Sequence, residues 1–155
     1  MTRQLLAVFV SVVGITAIAT GCGGGGDSAP SPTKAEFTRQ ASAICEKGVK
    51  DIQRGIEVLV KKRAGENVGA FSKPLPDVAA EDVVLPNFET QVEDLRALGS
   101  PSGDEAEVTA ILTTFEKAIK EGAEEPKGIF RGGAVSLGKT NQMATKYGLK
   151  YCGQP

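Results

Sequence analysis

The sequence predicts an all-α fold, a four-helix bundle, on three observations. Apolar residues recur at three- and four-residue steps in four separate stretches. No stretch alternates apolar and polar residues over the length of a strand, and no repeat of fixed period emerges. The last three stretches are joined by short connections, which favours antiparallel neighbours and an up-down-up-down order, with the longer loop between the first two helices.

The first helix starts at Thr33-Lys34-Ala35-Glu36, which has the spacing of a capping box, so that the Thr hydroxyl and the Glu carboxylate each satisfy an orphan amide. Phe37, Ala41, Ile44, Gly48, Ile52, Ile56 and Leu59 form its core stripe, while Arg39, Glu46, Lys50 and Arg54 fall elsewhere. It runs to about Arg63, before a connection containing Gly65, Gly69, Pro74 and Pro76. The second helix carries Leu85, Phe88, Val92, Leu95 and Leu98 and stops at Gly99 and Pro101. Pro86 leaves two readings open: a start near Asp82 with Pro86 in the first turn, or a longer helix from about Val78 that kinks there.

Ser102-Gly103-Asp104-Glu105 reads as a second capping box. The third stripe is Val108, Ile111, Leu112, Phe115 and Ile119, ending near Ala123, and Asp104, Glu105 and Glu107 suit the positive end of its dipole. A fourth stripe after Pro126 takes in Phe130, Ala134, Leu137, Ala144 and Tyr147, with Gly148-Leu149 as a helix-ending pair. Gly132, Gly133 and Gly138 each lower its helix propensity by about 1 kcal/mol relative to Ala.

Composition narrows the chemistry. The 155 residues contain no His and no Trp, and 18 Lys plus Arg balance 19 Asp plus Glu. Near-neutral charge removes the bulk electrostatic argument for nucleic acid. Without His there is no Ser-His or Cys-His nucleophile pair, and no zinc or di-iron site that uses imidazole.

Residues 1–21 read as targeting sequence rather than fold. Arg3 precedes an uncharged, largely apolar run from Leu5 to Ala19, followed by Thr20, Gly21 and Cys22. At 1.5 Å per residue the run covers about 22 Å, short of the roughly 30 Å hydrocarbon core. In Ala19-Thr20-Gly21-Cys22 the sequence resembles bacterial lipoprotein precursors, although Ala19 stands where that family usually has Leu. The resemblance implies a type II signal peptide over 1–21, lipidation of Cys22, and a protein on the extracytoplasmic face of the cell membrane. Residues 22–32 then form a Gly, Ser and Pro tether, whose ten residues after Cys22 reach at most about 35 Å and average about 17 Å. The helical domain occupies 33–155.

With Cys22 assigned to the lipid, Cys45 and Cys152 remain as the one available pair. A bond between them requires the tail from Gly148 to Cys152 to fold back over the first helix. Closing that loop of 107 residues is worth about 4 to 5 kcal/mol in the entropic treatment. Together, the Phe-x-x-x-Ala-x-x-Ile-Cys helix and the terminal Tyr147-Gly148-Leu149-Lys150-Tyr151-Cys152 resemble small exported helical lipoproteins of actinobacterial type. That resemblance implies a disulfide-stapled envelope protein and brings no catalytic residue or activity with it.

Gly133 to Thr140 matches the phosphate-binding Gly-x-x-x-x-Gly-Lys-Thr pattern. It is rejected because Gly128 to Arg131 is too short for the buried strand that must precede such a loop, and no acid follows Glu125. Acidic pairs such as Glu89 and Glu93 read as solvated helix faces, and no metal-ligand spacing emerges.

Charge is distributed unevenly along the chain. From Asp77 to Glu125 there are 3 bases and 13 acids, whereas from Lys127 onward there are 5 bases and no acid. Complementary packing within the bundle is one reading of this pattern. The other is a basic face, with Lys127, Arg131, Lys139 and Lys146, that meets anionic lipid, an envelope polymer or a protein partner. The sequence thus predicts a non-catalytic, membrane-anchored interaction module without cofactor or metal; a carrier of a small apolar molecule in a cavity between helices is the alternative.

Overall fold

The computed structural model describes residues 31–65, 72–131 and 135–154. The expected signal peptide, Cys22 and the tether before Ser31 lie outside them, as do Gly69, Gly132, Gly133 and Ala134. The described residues are all helical, with no strands, and about four main helices pack together.

Helix α1 (Lys34–Ala64) begins at the expected capping box. Thr33 Oγ1 accepts from the Glu36 amide at 3.2 Å, and the Glu36 carboxylate accepts from the Thr33 amide at 2.9 Å. The Thr33 hydroxyl also donates to that carboxylate at 2.7 Å, and this bond, then the amide's, holds the Glu36 carboxyl below its ordinary pKa. Phe37, Ala41, Cys45, Gly48 and Ile52 are buried along one stripe, and Lys61, Lys62 and Arg63 sit in the last turn, where the helix dipole favours cations.

The second helical stretch starts earlier than either sequence reading placed it. Helix α2 (Leu75–Ala79), a π-helical turn (Ala80–Val84) and α3 (Leu85–Ala97) follow one another without a gap. Pro76 falls in the first turn, where its missing N–H costs nothing, so prolines that looked like a loop open a helix. Pro86 has no N–H and its ring crowds the carbonyl four residues back. The chain answers with the wide turn just before it, in which the Leu85 amide donates to the Ala80 carbonyl, five residues back.

Helix α4 (Glu105–Glu124) has Asp104 as N-cap, but without the predicted capping box. The Asp104 carboxylate is engaged instead by the Tyr147 hydroxyl at 2.8 Å and Lys34 at 3.1 Å, while Glu105 accepts from the Gly103 amide. The fourth stripe also divides differently. A short α5 (Gly128–Arg131) precedes α6 (Val135–Tyr147), and the turn points Ile129 into the core while Phe130 stays 41% exposed.

Helix α3 packs against α1 and α4, and α4 against α6. Two apolar clusters fill the interior. One combines Phe37, Cys45, Leu95, Ile111, Tyr147 and Leu149, with the Phe37 and Tyr147 rings edge to face at 6.0 Å. The other combines Ile52, Val84, Phe88, Phe115, Ile129 and Leu137, with Phe88 and Phe115 at 5.1 Å. Gly148, at φ +104, ends α6, and the Leu149 amide returns to the Ala144 carbonyl, the arrangement expected of a glycine stop. The tail then crosses α1: the Lys150 amide donates to Ser42 Oγ at 3.0 Å and Cys152 is disulfide-bonded to Cys45.

Candidate functional site

The predicted basic residues lie on two elements. Lys127 and Arg131 flank α5 and are exposed. Lys139 and Lys146, seven residues apart, share the solvent face of α6, opposite the buried Leu137, Thr140, Ala144 and Tyr147. Lys127 stands 3.9 Å from Glu125, while among the described residues Arg131, Lys139 and Lys146 form no ion pair. The structure therefore assembles a cationic α6 stripe and leaves the α5 pair as a separate group.

Tertiary packing sets each basic helix on an acidic one, α1 on α3 and α6 on α4, and ties the two basic helices to each other through the tail and one ring pair. The basic helices α1 and α6 are joined by the Cys45–Cys152 bond, by Phe37 against Tyr147 and by the tail on Ser42. The acidic α3 and α4 pack together. Most ion pairs stay within the basic helices or within the acidic ones: Lys47 with Asp51 at 2.7 Å, Lys50 with Glu46 at 2.6 Å and Arg54 with Asp51 on α1, and Arg96 with Glu116 at 2.5 Å between α3 and α4. Lys34 to Asp104 crosses between the two groups at the Thr33 end, where the ammonium also lies 4.0 Å from the Tyr147 ring centre. Burial, then Asp104, pushes the Tyr147 phenol far above its ordinary pKa; the Tyr147 hydroxyl and then Lys34 hold the Asp104 carboxyl below its own. Sequence spacing could not show this group, because 43 residues separate Asp104 from Tyr147.

The second half of the phosphate-loop look-alike is helix. Gly138, Lys139 and Thr140 lie within α6, and the Thr140 hydroxyl is buried and donates to the Ser136 carbonyl at 2.8 Å. The start of that helix is held by Glu121, whose carboxylate accepts from the Ser136 amide and hydroxyl at 3.2 and 2.8 Å. The hydroxyl bond leads in keeping the Glu121 carboxyl below its ordinary pKa. No amide cradle is formed by these residues.

Two grooves among the described residues are lined largely by charge. One of about 290 Å³ runs between α3 and α4, with Glu89, Glu93, Arg96 and Glu116 around Val92 and Ile119. Another, of about 440 Å³, lies at the end opposite Thr33, with Lys73, Asp77, Glu81, Glu124, Glu125 and Lys127. Among the described residues no group of acids and cysteines is placed to hold a metal ion, and no helix is long and apolar enough to cross a membrane.

Two features escaped sequence reasoning. Gln91 is buried between helices with its Oε1 unpaired, and Tyr151, at φ +67, is 42% exposed on the tail. An i, i+3, i+4 count places Gln91 beside the Phe88 and Leu95 stripe, which is the signal that could have found it; nothing in the sequence signals the left-handed Tyr151. Comparison with known protein families, with curated proteins and with solved structures finds no significant match to this chain.

Proposed function

We propose that this protein is a non-catalytic interaction module, anchored through lipidated Cys22 on the extracytoplasmic face of the cell membrane, whose up-down-up-down helices present a basic side to an anionic envelope surface. The observation that carries the reading is that, among the described residues, most cations of α1 and α6 do not pair with acids of α3 and α4. Complementary packing would place the α1 and α6 cations against α3 and α4 acids, whereas Lys47, Lys50 and Arg54 pair on their own helix and Lys139 and Lys146 face solvent. Exposed pairs of this kind stabilise by at most about 1 kcal/mol, so they do not account for the pattern as a folding device. Apolar side chains fill both core clusters, which supports surface binding over carriage of a small molecule inside the bundle.

The test has two arms. Replacing Lys127, Arg131, Lys139 and Lys146 with Gln weakens association with anionic vesicles or isolated envelope polymer, and wild-type association falls as salt rises. Equal binding of wild type and variant at low salt overturns the basic-face reading. Cys22→Ala releases the protein from the membrane fraction or blocks its processing; unchanged fractionation and mass overturn the anchor. An apolar metabolite released on denaturation would favour the carrier.

A further inference from the structure

We propose that the solvent face of α1, together with the disulfide-held turn at Tyr151, is a docking surface for anionic phospholipid headgroups, on which the bundle lies down beside its anchor. This inference rests on the anchored reading and adds residues to it.

Lys47, Lys50, Arg54 and Lys61 fall at three-, four- and seven-residue steps, so they share one face of α1. Val58 lies on the same face and, at 66% exposure, is the most exposed large apolar side chain among the described residues. The tail brings Lys150 and Tyr151 to this face. Cys152 is bonded to Cys45 and the Lys150 amide to Ser42, one turn back along α1 from Glu46, the partner of Lys50. Tyr151 stands between these two attachments on the tail and is 42% exposed. Five cations of this surface meet three acids, Glu46, Asp51 and Glu57, leaving it positive.

Chemistry and tether select the occupant. An exposed phenol and a valine among long cationic side chains match the headgroup layer, where aromatic rings sit at the interface and lysine stems lie along apolar surface with their ammonium groups in water. Tyr151, one residue before the disulfide, has a backbone conformation rare for a non-glycine residue and is exposed. The ten-residue tether reaches at most about 35 Å. Helix α1 is about 46 Å long, and Tyr151, held beside Ser42 and Cys45 in the first half of that helix, stays within that reach when the bundle lies on this side.

The chain has no tryptophan, so Tyr151→Trp supplies a single reporter. The lipidated full chain carrying it is reconstituted in vesicles of phosphatidylcholine alone and of phosphatidylcholine with phosphatidylglycerol, both containing a brominated lipid. Flotation is measured on the same samples. In the anionic vesicles the emission shifts to the blue and is quenched at least about two-fold, and Lys50→Gln with Lys150→Gln reverses this, because each lysine near an anionic surface changes the docked population by about five-fold. In parallel, wild-type hydrogen exchange at residues 149–154 slows on the anionic vesicles, a readout that needs no variant. Protein that floats in both vesicles with equally water-exposed emission and equal exchange overturns this proposal while leaving the anchor intact. Protein that floats in neither overturns the anchor and the proposal with it.

Discussion

The Tyr147 hydroxyl donates to the Asp104 carboxylate at 2.8 Å, joining the end of α6 to the start of α4. Lys34 completes the group, 3.1 Å from the same carboxylate oxygen and above the ring. Folding lowers the Asp104 pKa below its ordinary 3.8, so the contribution of this group is complete above that value and is lost as pH falls through the lowered one. Tyr147→Phe therefore lowers the melting temperature at pH 7, and the gap from wild type narrows as pH falls below the ordinary 3.8 and through the lowered value. Thermal melts of both proteins from pH 7 to pH 2 check this; a gap independent of pH would assign the loss to packing alone.

Gly48 and Gln91 share one space between α1 and α3. A Cβ at residue 48 would lie 2.2 Å from Gln91 Nε2, which donates to Asn87 Oδ1 at 2.7 Å, while Gln91 Oε1 has no partner. Gly48→Ala is expected to destabilise by about 1 to 3 kcal/mol through overpacking, against a helix-propensity gain of about 1 kcal/mol. In a Gln91→Ala background the obstacle is gone, so Gly48→Ala becomes neutral or stabilising. Urea unfolding of the four proteins of this cycle gives the coupling directly, and additive effects would show that the two residues do not compete.

Reduction of the Cys45–Cys152 bond, or Cys45→Ser with Cys152→Ser, is expected to cost about 4 kcal/mol, because the closed loop spans 107 residues. The loss appears as a lower urea midpoint. Proteolysis after Tyr151 accelerates as the turn is released from α1. An unchanged midpoint would mean that packing of Leu149 and Tyr147 alone holds the tail.

Much of the helix content was legible in the sequence, and the misses have local causes. Periodicity found the stripes of α1, α3 and α4 because burial selects apolar residues at the helical step. Of the two readings at Pro86, the longer helix from about Val78 is the one found, three residues short at its start because Pro74 and Pro76 are loop residues by composition, yet Pro76 sits where a helix has no use for the amide it lacks. Spacing misread Ser102 to Glu105 because the helix starts two residues later than a box on Ser102 requires, with Asp104 as N-cap and its carboxylate engaged by Tyr147 and Lys34. Phe130 was placed in the core on the assumption of one continuous helix, and the division into α5 and α6 changed the phase of the stripe.

The sequence by itself determined the apolar stripes of the main helices, that acids concentrate in the middle of the chain and bases at its ends, and which two cysteines could pair within the helical domain. Those properties depend on near neighbours and on composition. Only the tertiary structure decided that the tail is stapled back onto α1, that Asp104 meets Tyr147, and that the Lys150 amide reaches Ser42. These relations join residues 43 to 108 positions apart. They follow from how the helices satisfy a shared core, where one side chain's position depends on every other element packed against it.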